Sequence, residues 1–162
     1  CDENEAFDQI HELELRSCCS LITDLLSHRD YSSGELTRKL LLYGFRDVEI
    51  QRAVDRAHDR RYLDDGRFAV NFIQERIRRG WGQRKIEAEL KRRGVECSEI
   101  DGYPEAFFTE ESDLERASQI LERRVVPDDR AREKLTRFLL TRGFPYRIAN
   151  EAVLNRLSHD LS

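Results

Sequence analysis

The hydrophobic residues of this chain repeat in a pattern that predicts three helices with the same kind of ending. The copies read Leu36-x-x-x-Leu40-x-x-x-Gly44-Phe45, Ile86-x-x-x-Leu90-x-x-x-Gly94-Val95 and Leu135-x-x-x-Leu139-x-x-x-Gly143-Phe144. In each copy the two aliphatic side chains share a helix face, and the glycine lies where the chain leaves the helix. A glycine adopts the left-handed conformation there without strain at Cβ, and the next apolar residue packs on the second aliphatic residue. The pattern therefore predicts three Schellman endings.

The spacing of these endings predicts a repeated structural unit. Gly44, Gly94 and Gly143 are 50 and 49 residues apart, which is typical of tandem helical repeats. We therefore expect an all-α fold of three tandem three-helix modules that form an elongated, curved array. The expected boundaries are an acidic N-terminal lead-in at residues 1–15, module 1 at 16–63, module 2 at 64–110 and module 3 at 111–162.

Polar residues at helix starts place the elements of module 1. The lead-in is expected to be helical from Glu5, and Ser32 with Glu35 forms a capping box that opens a helix running to Tyr43. A third helix is expected to begin near Asp47. It carries its apolar residues inward, namely Val48, Ile50, Val54 and Ala57.

Module 2 is expected to begin where Asp64 and Asp65 cap a helix with an apolar face. A short turn at Gly80-Trp81-Gly82 separates this helix from the next one, which covers about 83–93. Ser98 is placed to cap a third helix. Gly102 and Pro104 lie within the body of that helix, so we expect it to be short, bent or replaced by a turn.

Three further signals place the helices of module 3. Ser112 with Glu115 reads as a second capping box. Pro127 suits the first position of a helix that has Asp128-Asp129 in its first turn and reaches Arg142. Pro145 is expected to open the last helix. No segment of the chain has the alternation expected of a strand.

The composition and short motifs of the chain predict no membrane helix, metal site or catalytic site. The chain has no apolar run near the 18 residues that a membrane helix needs, so we expect a cytoplasmic protein. The four cysteines form no C-x-x-C pair, and the four histidines are dispersed, so we expect reduced thiols and no metal site. No phosphate-binding G-x-x-x-x-G-K-[ST] loop is present, so we expect no cofactor, no nucleotide hydrolysis and no enzyme activity.

The distribution of charge changes the picture more than the net charge of −4 does. Residues 76–93 contain eight bases against two acids, residues 96–115 contain eight acids and no base, and residues 116–142 contain eight bases against four acids. Arginine dominates both basic stretches and suits bidentate contacts with carboxylate or phosphate. The candidate partner-binding residues are Arg76, Arg78, Arg79, Trp81, Arg84, Lys85, Lys91, Arg92, Arg93, Arg123, Arg124, Arg130, Arg132, Arg137 and Arg142.

These residues leave several readings open. The first basic stretch also fits a solvated helix face with internal pairs such as Glu87 with Lys91, and Trp81 fits a helix interface as well as a partner interface. The partner expected from this charge is phosphate, an acidic protein surface, or both. A helix-turn-helix DNA-binding regulator is the alternative function, although the candidate recognition helices Asp47 to Arg60 and Pro145 to Arg156 mix acids with bases. A general helical scaffold is a third reading.

Linked motifs in the chain resemble those of the RecX family of recombinase regulators. The central motif is Leu63-Asp64-Asp65-Gly66-Arg67-Phe68-Ala69, followed by Arg76, Gly80, Gly82, Ile86, Glu89-Leu90 and Arg93-Gly94-Val95. The C-terminal motif is Arg137-Phe138-Leu139-Leu140-Thr141-Arg142-Gly143-Phe144. The order and spacing of Tyr31-Ser32, Glu35-Leu36 and Gly44-Phe45 also agree with the family. The residues that we expect to be structural signatures are Asp64, Asp65, Arg67, Phe68, Gly44, Gly94 and Gly143.

This resemblance implies a fold and a function. Family members consist of three tandem three-helix modules that lie along the groove of the RecA recombinase filament. They restrain its ATP hydrolysis, its strand exchange and its stimulation of repressor self-cleavage in the DNA-damage response. The resemblance thus implies a non-enzymatic regulator, expected to be a monomer, whose partner is the RecA filament and, through that filament, single- or double-stranded DNA. Whether the protein also contacts DNA directly is left open.

Overall fold

The structure is a computed structural model that describes residues 3–160. Those residues form eight α-helices and one short 3₁₀ helix, and they contain no strand. The α-helices are α1 (Glu3–His28), α2 (Ser33–Leu42), α3 (Asp47–Asp59), α4 (Asp65–Arg78), α5 (Gln83–Arg92), α6 (Glu110–Glu122), α7 (Ala131–Thr141) and α8 (Tyr146–His159). The predicted all-α fold class is therefore confirmed. No helix within the described residues is long and apolar enough to cross a bilayer.

The chain divides into two compact units. Unit 1 contains residues up to Ala69 together with Arg93–Val95, and unit 2 contains Val70–Arg92 together with the residues from Glu96 onward. The three module boundaries predicted from the repeat, and the curvature of the array, stay predictions. Each unit has a core of its own, and that of unit 2 includes Leu121, Leu135, Leu139 and Phe144.

The core of unit 1 forms where α3 packs against α1 and α2. Leu15, Cys18, Leu36, Leu40 and Ile50 are at most 1% exposed and fill its centre. Burial raises the pKa of the Cys18 thiol to about 11, so the thiol stays protonated at neutral pH. The sequence pattern identified Leu36, Leu40 and Ile50 through their helical spacing, whereas Leu15 lies in the predicted lead-in and was not expected in the core.

Residues 3–15 of the acidic lead-in belong to α1, which begins at Glu3, two residues before the predicted start at Glu5. Its contacts with α3 involve polar groups. The Glu14 carboxylate accepts hydrogen bonds of 2.8 Å from both the backbone N–H and the Nε of Arg46. These bonds hold the pKa of Glu14 below its usual range. The fully buried Glu49 carboxylate contacts the His11 ring and lies 3.5 Å from the Arg52 guanidinium.

The helix endings follow the predicted Schellman geometry. Gly44 and Gly143 have φ values of 89° and 95°, and the residue after each donates to the carbonyl of the second aliphatic residue, at 3.3 and 3.1 Å. Gly94 shares the left-handed conformation, with φ of 77°. Two more helices have endings of the same Schellman type. Helix α4 ends in this way at Gly80, and α3 does so at Arg61, which has φ of 58° although it is not a glycine. Neither was predicted, because neither follows the Leu-x-x-x-Leu pattern.

The helix starts agree only in part with the predictions. The capping box of Ser32 and Glu35 is confirmed, and Asp64 caps α4 by accepting from the Arg67 N–H at 3.0 Å. Asp65 was wrongly predicted to cap the same helix. Its carboxylate instead accepts from both the backbone N–H and the hydroxyl of Ser33, so it anchors the start of α2 within unit 1.

Two predicted starts in module 3 are wrong. The box that opens α6 pairs Thr109 with Ser112, because Thr109 has the extended backbone of an N-cap, and Ser112 is the third residue of the helix. Helix α7 begins at Ala131, four residues after Pro127, because Arg130 takes a left-handed conformation directly before it. The prediction that Pro145 opens the last helix is confirmed.

Two further predictions concern Val48 and the third helix of module 2. Val48 was predicted to face inward but is 63% exposed, since it lies in the first turn of α3 on the side away from α1 and α2. The third helix of module 2 is reduced, as predicted, to a 3₁₀ turn at Cys97–Glu99 followed by turns. The Tyr103 hydroxyl fixes those turns by donating to the Glu87 carboxylate at 2.5 Å, and burial raises the pKa of this phenol.

Pairs of glycines bring backbones into direct contact inside each unit. In unit 1, a Cβ on Gly34 would lie 2.9 Å from the Arg93 carbonyl oxygen and from the Gly94 Cα. In unit 2, a Cβ on Gly82 would lie 2.3 Å from the Gly143 carbonyl carbon, and the Gly82 N–H donates to the Arg142 carbonyl at 2.7 Å. The glycine that ends a helix in one predicted module therefore packs on the helix start of the module before it.

Replacing Gly82 with alanine is expected to lower the free energy of unfolding of unit 2 by about 2 to 3 kcal/mol, because backbone atoms have no rotamer with which to avoid the new methyl group. Urea unfolding followed by circular dichroism measures the change. Gly66→Ala is the matched control, since its Cβ would meet only the Asp64 carboxylate at 3.4 Å on an exposed part of α4. The control is expected to leave stability unchanged or raise it by up to about 1 kcal/mol. Equal stability of the two variants would contradict the proposed backbone contact.

Candidate anion-binding pocket

Arginine side chains from three helices converge on one pocket of unit 2. The pocket has a volume of about 440 Å³ and lies between the end of α4, the outer face of α6 and the end of α7. Its lining residues are Arg78, Arg79, Arg116, Arg123, Arg124 and Arg142, together with Ile77, Gly80, Gln119, Ile120 and Phe138. No carboxylate belongs to this lining, so the pocket offers positive charge alone.

Helix endings explain why the arginines meet. Helix α4 ends in a left-handed turn in which the Trp81 N–H donates to the Arg76 carbonyl at 3.0 Å, and this turn brings Gly80 to the pocket. Arg123 and Arg142 are the C-cap residues of α6 and α7. Cations are favoured at helix C-termini, where the backbone carries partial negative charge. The three helix ends therefore tolerate a density of arginine that would otherwise repel itself.

Two of the six arginines are neutralised by partners outside the lining. Arg79 pairs with Glu75 at 2.5 Å, and Arg116 pairs with Asp113 at 2.5 Å while also donating to the Trp81 carbonyl at 3.0 Å. The Arg142 guanidinium donates to the Arg79 carbonyl over a longer distance, 3.4 Å. These pairs fix the sides of the pocket and leave other guanidinium groups to face it.

The remaining guanidinium groups have no acidic partner. Within residues 3–160, no carboxylate lies at ion-pair distance from Arg78, Arg123 or Arg124. Arg124 stacks on the Phe138 ring with its guanidinium carbon 3.8 Å from the ring centroid, and Arg142 lies 5.2 Å from the same centroid. The aromatic ring orients these side chains and lowers the local dielectric, which strengthens their attraction for an anion.

Other residues of the first predicted basic surface lie elsewhere. Arg76 is mostly buried, at 15% side-chain exposure, with its guanidinium 4.7 Å from the Phe72 ring and 5.0 Å from the Trp81 ring. The Lys85 Nζ lies 4.2 Å from the ring centroid of the half-buried Trp81. Arg84 and Lys91 are exposed on α5.

Some predicted binding residues form internal ion pairs. Arg92 pairs with Glu89 at 2.6 Å within α5. Arg93 pairs with Glu35 at 3.0 Å in unit 1, so it supports the capping box at the start of α2. This role of Arg93 gives a structural reason for its place in the family motif.

The arginines of the second predicted basic surface also fall into two groups. Arg123, Arg124 and Arg142 line the pocket, whereas three others lie outside it. Arg130 precedes α7 in its left-handed conformation, Arg132 donates to Asn150 at 3.0 Å, and Arg137 pairs with Glu133 at 2.8 Å.

Sequence reasoning missed Arg116 as a member of the site. The available signal was its spacing, since Arg116, Ile120 and Arg123 follow one another at i, i+4 and i+7 on α6. That spacing places two arginines and one aliphatic residue on the same helix face. What the sequence did not show is that this face lies opposite the ends of α4 and α7.

Comparisons with known proteins give a consistent family. A family model described as the second three-helix domain of RecX matches residues 64–102, and one described as the first three-helix domain of RecX matches residues 23–56. A protein of Actinobacillus pleuropneumoniae serotype 5b named "Regulatory protein RecX" is 36% identical over 129 residues, covering 74% of this chain and 80% of the relative. A protein of Chromohalobacter salexigens with the same name is 38% identical over 139 residues, covering 83% and 87%.

Solved structures agree on the fold. The chain matches a crystal structure of a regulatory protein RecX with a TM-score of 0.79 and 20% identity, over 94% of this chain and 79% of that one. It also matches the crystal structure of RecX from Lactobacillus salivarius with a TM-score of 0.74 and 17% identity, over 88% and 96%. At these identities the structural matches support the helical fold alone.

Arg76→Ala is expected to lower the free energy of unfolding by about 2 kcal/mol, because it removes two ring contacts and the packing of the aliphatic stem. The matched control is Arg123→Ala, which removes an exposed arginine of the pocket and is expected to change stability by less than about 0.5 kcal/mol. Urea unfolding of both variants, followed by circular dichroism, makes the comparison. Arg76 has no structural role of this kind if the two variants unfold at the same urea concentration.

Proposed function

Because this chain belongs to the RecX family of regulatory proteins, we propose that it binds the RecA filament and restrains its activities. The activities concerned are ATP hydrolysis, strand exchange and the coprotease reaction in recombination and the DNA-damage (SOS) response. In this proposal the protein is a non-enzymatic, monomeric regulator of the cytoplasm.

The observation that carries the proposal is the arginine pocket of unit 2. Six arginines and no carboxylate belong to its lining, so the pocket favours an anionic partner. A nucleoprotein filament presents phosphate and acidic side chains together, and arginine binds both through its planar set of donors. The pocket also brings together residues that lie far apart in sequence, such as Arg78 and Arg142. The local concentration of positive charge therefore exists only in the folded protein.

A binding protein of this kind acts on populations of states. If the protein binds assembled recombinase protomers more tightly than free ones, or one filament conformation more tightly than another, it shifts the equilibrium toward the state it prefers. A shift from 1:99 to 99:1 requires a preference of about 10⁴-fold. The contacts that the pocket arginines make with the preferred state would have to supply a difference in binding of that order.

The helix-turn-helix alternative gains no support from the candidate recognition helices. In α3, Gln51 donates to Asp55 at 2.9 Å, and Glu49 is fully buried. In α8, Arg156 is paired with Asp160. Side chains in such internal pairs do not present the free donors that read base edges.

The test is ATP hydrolysis by the cognate RecA protein on single-stranded DNA, titrated with this chain. We expect suppression at well below one copy per RecA protomer, since a regulator of growth acts on few filament positions. Absence of any suppression at equimolar amounts would exclude the proposed function.

Paired charge reversals show whether the pocket makes the contact. Arg123→Glu with Arg124→Glu is expected to raise the amount needed for half-suppression at least tenfold, because it introduces repulsion at the pocket. Arg16→Glu with Arg147→Glu changes net charge equally at two exposed arginines outside the pocket, and it is expected to act like the unaltered chain. Circular dichroism checks that both remain folded. Equal suppression by both variants would place the contact elsewhere.

A further inference from the structure

We propose that the arginine pocket of unit 2 is a binding site for a ligand with two or three linked phosphate groups, such as a nucleoside triphosphate or a short polyphosphate. The pocket would then be an effector site on a regulatory protein. One consequence of this inference rests on the proposed function: if the same arginines contact the filament, the phosphate ligand and the filament compete for them.

The balance of charge in the pocket indicates how much negative charge the ligand brings. Six arginines line it, and two of them, Arg79 and Arg116, have carboxylate partners outside the lining. Among the residues that the structure describes, the other four arginines have no carboxylate partner, and they surround a space of about 440 Å³. A nucleoside triphosphate carries about four negative charges, because its end group adds about −2 and each bridging group adds −1.

Other anions supply less charge in the same space. A nucleic-acid strand carries one charge per nucleotide, so only one or two of its phosphates reach a pocket of this size. An acidic peptide carries one charge per side chain and would need four carboxylates together. Linked phosphates concentrate charge and acceptor oxygens most strongly, and arginine donates to them in pairs.

The shape of the pocket adds support. Gly80 lies at its base, where a Cβ would come within 3.2 Å of the Arg142 Nη1 and 3.3 Å of the Ile120 side chain. The missing side chain leaves the Arg142 guanidinium room at the base of the pocket, beside the apolar Ile120 and Phe138. Arg124 stacks on Phe138 at 3.8 Å, so this ring face is covered by a cation and is closed to a nucleic-acid base. The pocket therefore offers donors for phosphate and no aromatic platform for a strand.

Direct titration of the isolated chain tests the proposal. Sodium tripolyphosphate is the first probe, at 0.15 M salt without divalent cations, and calorimetry gives affinity and stoichiometry. Trp81, the single tryptophan of the chain, provides a second readout, because its carbonyl accepts from Arg116 at the edge of the pocket. ATP, pyrophosphate, inorganic phosphate, a twelve-nucleotide oligothymidylate and a hexaglutamate peptide complete the set of probes.

We expect one tripolyphosphate per chain, bound at least tenfold more tightly than inorganic phosphate. Arg123→Ala with Arg124→Ala is expected to weaken this binding at least tenfold, whereas Arg16→Ala with Arg147→Ala leaves it unchanged. Equal affinities for ATP and tripolyphosphate would identify the phosphate chain as the ligand, and tighter binding of ATP would identify a nucleotide. Either result supports the proposal.

Three results would overturn it. The first is tripolyphosphate binding no tighter than that of inorganic phosphate. The second is unchanged binding by the Arg123/Arg124 variant. The third is pocket-dependent binding of the oligonucleotide or the peptide that tripolyphosphate does not displace. Because no recombinase is present in this titration, its outcome is independent of the ATP hydrolysis test, and either proposal fails without the other.

Discussion

The contact on which the rest of this structure depends is backbone against backbone. Gly82 and Gly143 approach so closely that the Gly82 N–H donates to the Arg142 carbonyl and the Arg84 N–H donates to the Gly143 carbonyl, at 2.7 and 3.0 Å. Each hydrogen bond satisfies a donor at a helix start and an acceptor at a helix end, both of which lack partners within their own helices. This junction fixes Arg142 beside the end of α4, so the pocket exists only because two residues without side chains meet.

Much of the fold was predictable because it depends on local rules. The Leu-x-x-x-Leu-x-x-x-Gly pattern states where a helix ends, and Ser32 with Glu35 states where one begins. The errors arise where two residues compete for one role or where the backbone takes an unusual conformation. Asp65 resembles a cap but bonds Ser33 in another helix, and the left-handed Arg130 delays α7 beyond Pro127. Such outcomes depend on tertiary contacts that a sequence pattern does not contain.

The candidate site was predictable in composition but not in arrangement. The runs of arginine in the sequence contain five of the six arginines that were later found to line the pocket and that were named as candidates, because charge is visible in sequence. Which arginines are paired is decided by neighbours in space: Arg93 reaches Glu35 across 58 residues, and Arg76 lies between two aromatic rings. Arg116 belongs to the pocket although it lies next to an acidic stretch in sequence. The packing of the helices therefore decides which of the basic residues line the pocket.

The three repeat glycines are not equally replaceable, because they differ in what surrounds them. A Cβ on Gly44 would meet no atom within 4 Å, whereas one on Gly143 would lie 2.4 Å from the Lys85 Cβ. Asparagine tolerates the left-handed conformation, which is the demand that the structure makes at position 44. At positions 94 and 143 a side chain also collides with the neighbouring helix start. The same helix ending is therefore a local feature in the first repeat and part of a backbone junction in the two later ones.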